Sequence, residues 1–203
     1  MTIYASSKTD TQRRAMVSTA ARWLPQRGMA ALNLIEVARA VDAPRGSIYH
    51  YFPGGRDQLL QEALALASKS GLRMIEKAAA KASTIQEFIQ TVFDSSLQQI
   101  GHDRFTGGCP VGAAVLSSET ESAVFQQQMQ LAFAAWQEAI VSSFMQLGMT
   151  KKQHAIELAR CMLIAYEGAL VCAKGARNMQ MFDSAARMAI VLADSFVPQT
   201  KKL

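Results

Sequence analysis

An all-α fold is the expectation for this 203-residue chain, and three features of its sequence lead there. Half of the residues are apolar, enough to fill a core. Leu, Ala, Met, Gln, Glu, Lys and Arg dominate while only 5 residues are Pro, a balance that favours helix throughout. Apolar residues recur at helical spacing, whereas β-branched runs bounded by turn signals are scarce.

The first helix is expected from Asp10 to Gln26, with Thr9 or Asp10 as its cap and Met16, Ala20, Trp23 and Leu24 on its apolar face. Gly28 is its stop. A short second helix over Leu34–Val41 follows Asn33, a good N-cap, and Leu34, Val37, Ala38 and Val41 repeat along one side. Asp42 and Ala43 make a tight connection, and Pro44 suits the opening of a third helix, Arg45–Phe52, because a first-turn N–H has no intrahelical partner to lose. Pro53, Gly54 and Gly55 end it, and a long amphipathic helix begins at Arg56 or Asp57 and runs to about Ala80. Five more follow: Thr84–Ile100, Val111–Ser118 after a loop and Pro110, Glu121–Gln146, Lys151–Lys174 and Met181–Phe196. Gly148 and Asn178 mark joints between them, which makes about nine helices in all.

Charge divides the chain. Residues 1–56 carry eight basic and three acidic side chains, whereas the remainder is neutral at thirteen of each. A basic head on a neutral body suits a polyanion-binding module joined to something else. No apolar stretch follows a basic start and no charge-free run reaches 18 residues, so neither a signal peptide nor a membrane span is expected. Cys109, Cys161 and Cys172, odd in number and without paired spacing, suit reduced thiols and a cytoplasmic setting.

Two short helices joined by a tight turn, the second basic and polar on its outer face, form a helix-turn-helix arrangement. Arg45, Ser47, Tyr49 and His50 offer donors to phosphates or base edges, while Ile48 and Phe52, four residues apart, can pack inward. On the residues alone, the favoured reading is that Tyr49 and Tyr51 are core aromatics and His50 a solvent-facing side chain. The absence of a side chain at Gly46 would let the helix approach a groove wall closely.

At these residues the segment LIEVARAVDAPRGSIYHYFPGGRDQLL, Leu34–Leu60, closely resembles the DNA-binding signature of the TetR family. APRGSIYHYFPGG is similar to the LmrA/YxaF-like subgroup of that family, as are GGCPVGAAVLSSE at 107–119 and YEGALVCAKGARN at 166–178. The resemblance covers nearly the whole chain. It implies a three-helix DNA-binding domain over 1–56 and a helical ligand-binding and dimerisation domain over 57–203. It further implies that the third helix enters the major groove of double-stranded operator DNA, with Arg45, Ser47, Tyr49 and His50 at bases or phosphates. Arg56 stands where the family has a phosphate-contacting basic residue, and Asn33 or the amides it caps would meet the backbone. Tyr51 stands where the family usually has His, a departure that puts a contact there in question.

The body has few charges, and Met and aromatic residues are frequent, a composition that suits a small hydrophobic effector or a plain core. The resemblance places Phe93, Leu97, Cys109 and Met129 in segments that line such cavities, together with Phe133, Trp136, Tyr166 and Glu167. Glu167 lies in an apolar stretch, where a buried carboxylate must be paired, bonded or protonated. It could orient an effector or make a contact between helices or subunits. The last two helices are apolar on more than one face through Leu163, Ile164, Leu170, Val171, Met188, Ile190, Val191, Leu192 and Phe196. Homodimerisation through them is also what the resemblance implies, and a twofold protein suits a near-palindromic operator. Repression relieved by effector is the function implied, with efflux or detoxification genes as usual targets.

Rival chemistry finds little support. Cys109 lies seven residues after His102 without an accompanying nucleophile elbow, phosphate loop or acidic pair. His154, Cys161 and Cys172 share a helix face, but at about 1.5 Å per residue they are too far apart for one ion. No cofactor, metal or enzymatic activity is expected. A regulator of the same fold that binds DNA constitutively, or answers a protein or a redox change at Cys109, is the remaining alternative.

Overall fold

The computed structural model describes residues 8–102, 105–117 and 122–196, without the side chains of Lys8 and of 96–102. Among them the chain forms nine α-helices: α1 Lys8–Arg27, α2 Leu34–Ala40, α3 Ile48–Tyr51, α4 Gly55–Lys81, α5 Ile85–His102, α6 Pro110–Val115, α7 Ala123–Gln146, α8 Lys152–Ala176 and α9 Gln180–Phe196. The chain divides into two compact units, Met1–Lys69 with Cys109–Gln130, and Ser70–Gly108 with Leu131–Leu203. It passes from one to the other within α4 and within α7. None of the described helices is long and apolar enough to cross a membrane.

In the first unit, α1 packs against α2 and α6. Of the face expected of α1, Met16, Ala20 and Leu24 are buried and Trp23 is half-buried; Leu34, Val37 and Ala38 of α2 and Leu59, Leu60 and Leu64 of α4 are buried in the same unit. Thr9 and Asp10 lie inside α1 and do not cap it. Pro25 occupies its last turn, where a missing N–H removes one bond just before the helix ends at Arg27. Gly28, at φ +74°, then donates to the Leu24 carbonyl at 2.8 Å and closes the helix in a left-handed cap.

In the second unit, α9 packs along α8 and α5. Phe88 and Phe144 meet edge to face at 5.5 Å, and His154 stacks on Phe196 at 4.7 Å. Gly148, at φ +100°, ends α7 by donating to Met145 while Met149 reaches back to Phe144, the double bond of a Schellman turn. At the other joint the left-handed residue is Arg177, φ +50°. Asn178 follows it, donating from its backbone to the Ala173 carbonyl and accepting from the Gln180 N–H at 2.9 Å.

Candidate nucleic-acid interface

The helix-turn-helix is built from local signals first. The Asn33 side chain accepts from the N–H groups of Ile35 at 2.8 Å and Glu36 at 3.2 Å, so the cap expected of it is made and two otherwise unpaired amides are satisfied. At the far end, Asp42 takes φ +53° and donates to the Arg39 carbonyl, while Ala43 donates to the Ala38 carbonyl at 2.9 Å. That pair is again a Schellman turn, and it reverses the chain in two residues.

The third helix departs from a single uniform segment. Pro44, with extended backbone at ψ 132°, precedes a 3-10 turn over Arg45–Ser47, and α3 itself covers only Ile48–Tyr51. Pro44 therefore stands just before the first helical turn and not within it. Ile48 and Phe52 are buried as expected, and they seat the segment on the core.

The outer face carries Arg45, Gly46, Tyr49 and His50, all exposed, with Ser47 half-buried. Tyr49 leaves 70% of its surface in water, so its ring and hydroxyl are open to a partner. A Cβ built on Gly46 would meet no atom within 4 Å, so internal packing makes no demand for glycine there. Two residues after Tyr49, Tyr51 points the other way. Its ring is buried, and its hydroxyl donates to Gln12 Oε1 at 2.8 Å.

Long-range contacts hold this face in place, and no local sequence pattern announces them. Gln12 also donates from Nε2 to the Asp42 carbonyl at 3.4 Å, so one α1 side chain grips both the turn and the following helix. Arg13 Nε donates to the Tyr51 carbonyl at 3.2 Å, its guanidinium lies 5.1 Å from the Phe52 ring centroid, and Nη2 pairs with Glu62 of α4. Gln58 completes the brace, donating to Glu62 at 3.0 Å and accepting from the Gly54 N–H at 2.9 Å. Arg56, half-buried, donates from Nε to the Leu32 carbonyl at 2.9 Å and from Nη2 to the Met29 carbonyl, while Nη1 lies 3.8 Å from Asp57. It clamps the loop that delivers Asn33 to α2. Arg27 sits 3.8 Å over the Trp23 ring and pairs with Glu36 at 3.2 Å, which offsets the one carboxylate of α2.

The residues nominated for an effector site are brought together only in part. Phe93 is fully buried and meets Tyr166 edge to face at 5.6 Å, with Phe182 at 6.3 Å completing an aromatic trio. Phe133 and Trp136 form a second pair at 5.2 Å. Glu167 is half-buried on α8. Cys109 and Met129 fall in the first unit, where the Cys109 thiol accepts from the Gly112 N–H at 3.2 Å as the N-cap of α6, and Met129 is buried. The Leu97 and His102 side chains lie outside the described residues. Among the described residues, no three His, Cys, Asp or Glu side chains cluster closely enough to hold a metal ion.

Comparison with known proteins places these features in a family. Residues 17–63 match the model of the bacterial regulatory proteins of the tetR family, and residues 85–188 match the C-terminal domain of LmrA/YxaF-like transcriptional regulators. An HTH-type transcriptional regulator of Mycobacterium tuberculosis is 32% identical over 176 residues, 84% of this chain and 88% of that protein. The regulator YxaF of Bacillus subtilis is 27% identical over 143 residues, covering 70% of this chain and 74% of its own. In three dimensions, a TetR-family regulator from Cytophaga hutchinsonii superposes with a TM-score of 0.81 at 18% identity, over 96% of this chain and 98% of that one.

Proposed function

The chain belongs to the TetR family of transcriptional regulators, with an LmrA/YxaF-like C-terminal domain, and from that premise we propose that it is a repressor that binds a near-palindromic operator as a homodimer and releases it when a small hydrophobic effector binds. The observation that carries the reading is the outer face of the third helix. There Tyr49 is 70% exposed beside Arg45 and His50, while Ile48 and Phe52 anchor the opposite side. In this reading Arg45, Ser47, Tyr49 and His50 meet base edges and phosphates in the major groove, Gly46 allows close approach, and Asn33 lies near the backbone at the start of α2. Arg56 serves the same interface by holding the Met29–Leu32 loop, since its Nε and one Nη are engaged on those carbonyls.

Roles divide at residue 56, with DNA recognition before it and effector binding and dimerisation after it. Dimerisation is supported by large apolar side chains left in water on the two packed helices α8 and α9: Ile164 at 72%, Val171 at 60%, Met188 at 59% and Val191 at 69%. A second copy presenting the same face would cover them, and twofold symmetry would then set two reading helices against two half-sites about one helical turn or a multiple apart. The effector is proposed to meet Phe93, Tyr166 and Glu167, with Leu97, Phe133, Trp136, Cys109 and Met129 as further candidates. It acts by favouring a spacing of the reading helices that no longer fits the operator, so that the loss of DNA affinity equals the coupling free energy. The cytoplasm is the compartment this role requires.

The experiment is a titration of DNA upstream of the chain's own gene and its neighbours with purified protein, at two salt concentrations against random competitor DNA. Saturable binding of two chains to one segment, weakened by Tyr49→Ala, supports the reading. Equal affinity for every sequence, unaltered by Tyr49→Ala, contradicts it.

A further inference from the structure

We propose that the second unit carries a binding groove for a small, multiply charged anion between α4 and α5. The groove is open to solvent, has a volume of about 390 Å³ and is lined by the exposed Arg73, Lys77 and Lys81 of α4, with Met74 on the same helix and Thr91 and Ser95 from α5. That volume holds a metabolite-sized ligand. Residues four apart on a helix rise about 6 Å, so the three cations form a ladder about 12 Å long.

Such a ladder works against the helix that carries it, because like charges four residues apart repel. Nothing among the described residues relieves this: none of the three cations makes an ion pair or hydrogen bond, and no carboxylate lines the groove. Even Glu76, three residues after Arg73, forms no ion pair with it. The acids of α5 are engaged elsewhere: Glu87 accepts from the Ser83 N–H and Asp94 from Gln90, each at 2.8 Å. Thr91 and Ser95 donate their hydroxyls to carbonyls of their own helix at 2.7 Å, so the donors to a ligand are the cations themselves.

Unopposed positive charge in a concave site focuses the field and concentrates anions. The ladder matches an elongated ligand with two or more negative groups, such as linked phosphates. Arg73 would present a planar fork to one group, and Lys77 and Lys81 would act as point charges on the next. The groove shares no residue with the DNA-reading face, and the proposal does not depend on the repressor reading.

The test is calorimetric titration of the full chain with tripolyphosphate, comparing wild type, the double variant Lys77→Gln with Lys81→Gln, and Arg45→Ala as a control for anion binding by the head. The expected result is saturable binding of one tripolyphosphate per chain, weakened at least tenfold in the double variant and within twofold of wild type in Arg45→Ala. Lys77 and Lys81 are exposed and their replacement removes the repulsion along the ladder, so helix content should be kept and melting temperature should stay level or rise. Wild-type binding in the double variant, loss of binding in Arg45→Ala, or no saturable binding at all would overturn the proposal. So would a parallel loss of random duplex DNA binding in the double variant, which would assign the groove to the DNA backbone.

Discussion

Arg13 donates from Nε to the carbonyl of Tyr51 at 3.2 Å, a bond that crosses 38 residues of sequence and ties the first helix to the end of the reading helix. The same guanidinium pairs with Glu62 and covers the Phe52 ring. Replacing Arg13 with Ala removes all three interactions at a part-buried site, and the expected cost is about 1 to 3 kcal/mol of stability. Thermal denaturation checks this, and operator affinity should fall with it because α3 loses its brace.

Tyr51→Phe is the complementary change. It deletes only the hydroxyl that donates to Gln12, at an expected cost of about 1 kcal/mol. DNA affinity should remain within about threefold, well short of the tenfold that about 1.4 kcal/mol produces. A large drop in affinity with intact stability would instead make Tyr51 a DNA-reading residue.

Tyr49→Ala and Arg45→Ala should show the opposite pattern. Both side chains are exposed, so stability should shift by no more than about 0.5 kcal/mol. Specific DNA binding should weaken by about 1 to 3 kcal/mol for each base edge that the variant can no longer read. Paired melting and binding measurements on each variant separate the two effects.

Arg56→Ala distinguishes a clamp from a phosphate ligand. Without its bonds to the Met29 and Leu32 carbonyls the head should be destabilised by about 1 to 3 kcal/mol. The slope of log affinity against log salt should stay as in wild type. Direct neutralisation of a phosphate would instead flatten that slope by about one.

Gly71→Ala tests packing in the second unit. A Cβ there would lie 2.8 to 2.9 Å from three atoms of the buried Trp136 ring. Overpacking of that kind costs about 1 to 3 kcal/mol, against about 1 kcal/mol gained in helix propensity. A net decrease in stability, with a shift in Trp136 fluorescence, is the expected outcome.

What is legible in the sequence is what local chemistry decides. Asn33 caps α2, Gly28 and Gly148 end their helices, and Ile48 and Phe52 turn inward because each depends on neighbours within five residues. The alternation that sends Tyr49 outward and Tyr51 inward is not decidable from the residues, since either ring suits a core. Arg13 and Arg56 read in the sequence as charge on a basic head, and only the fold makes them braces. Their partners, Tyr51, Glu62, Met29 and Leu32, are 24 to 49 residues away, and no spacing rule links them. Phe182, the third ring beside Phe93 and Tyr166, is hidden for the same reason. So is the short 3-10 opening of the third helix, because Arg45, Gly46 and Ser47 fit either helix type.

The most direct test of the central claim is selection of binding sites from a pool of random duplex DNA by the purified full chain, followed by a stoichiometric titration of the enriched sequence. The account expects one enriched near-palindrome, bound by two chains per site and bound more weakly by Tyr49→Ala while the variant stays folded. Enrichment of no sequence, or of a sequence that Tyr49→Ala and Arg45→Ala bind as well as wild type, would contradict it.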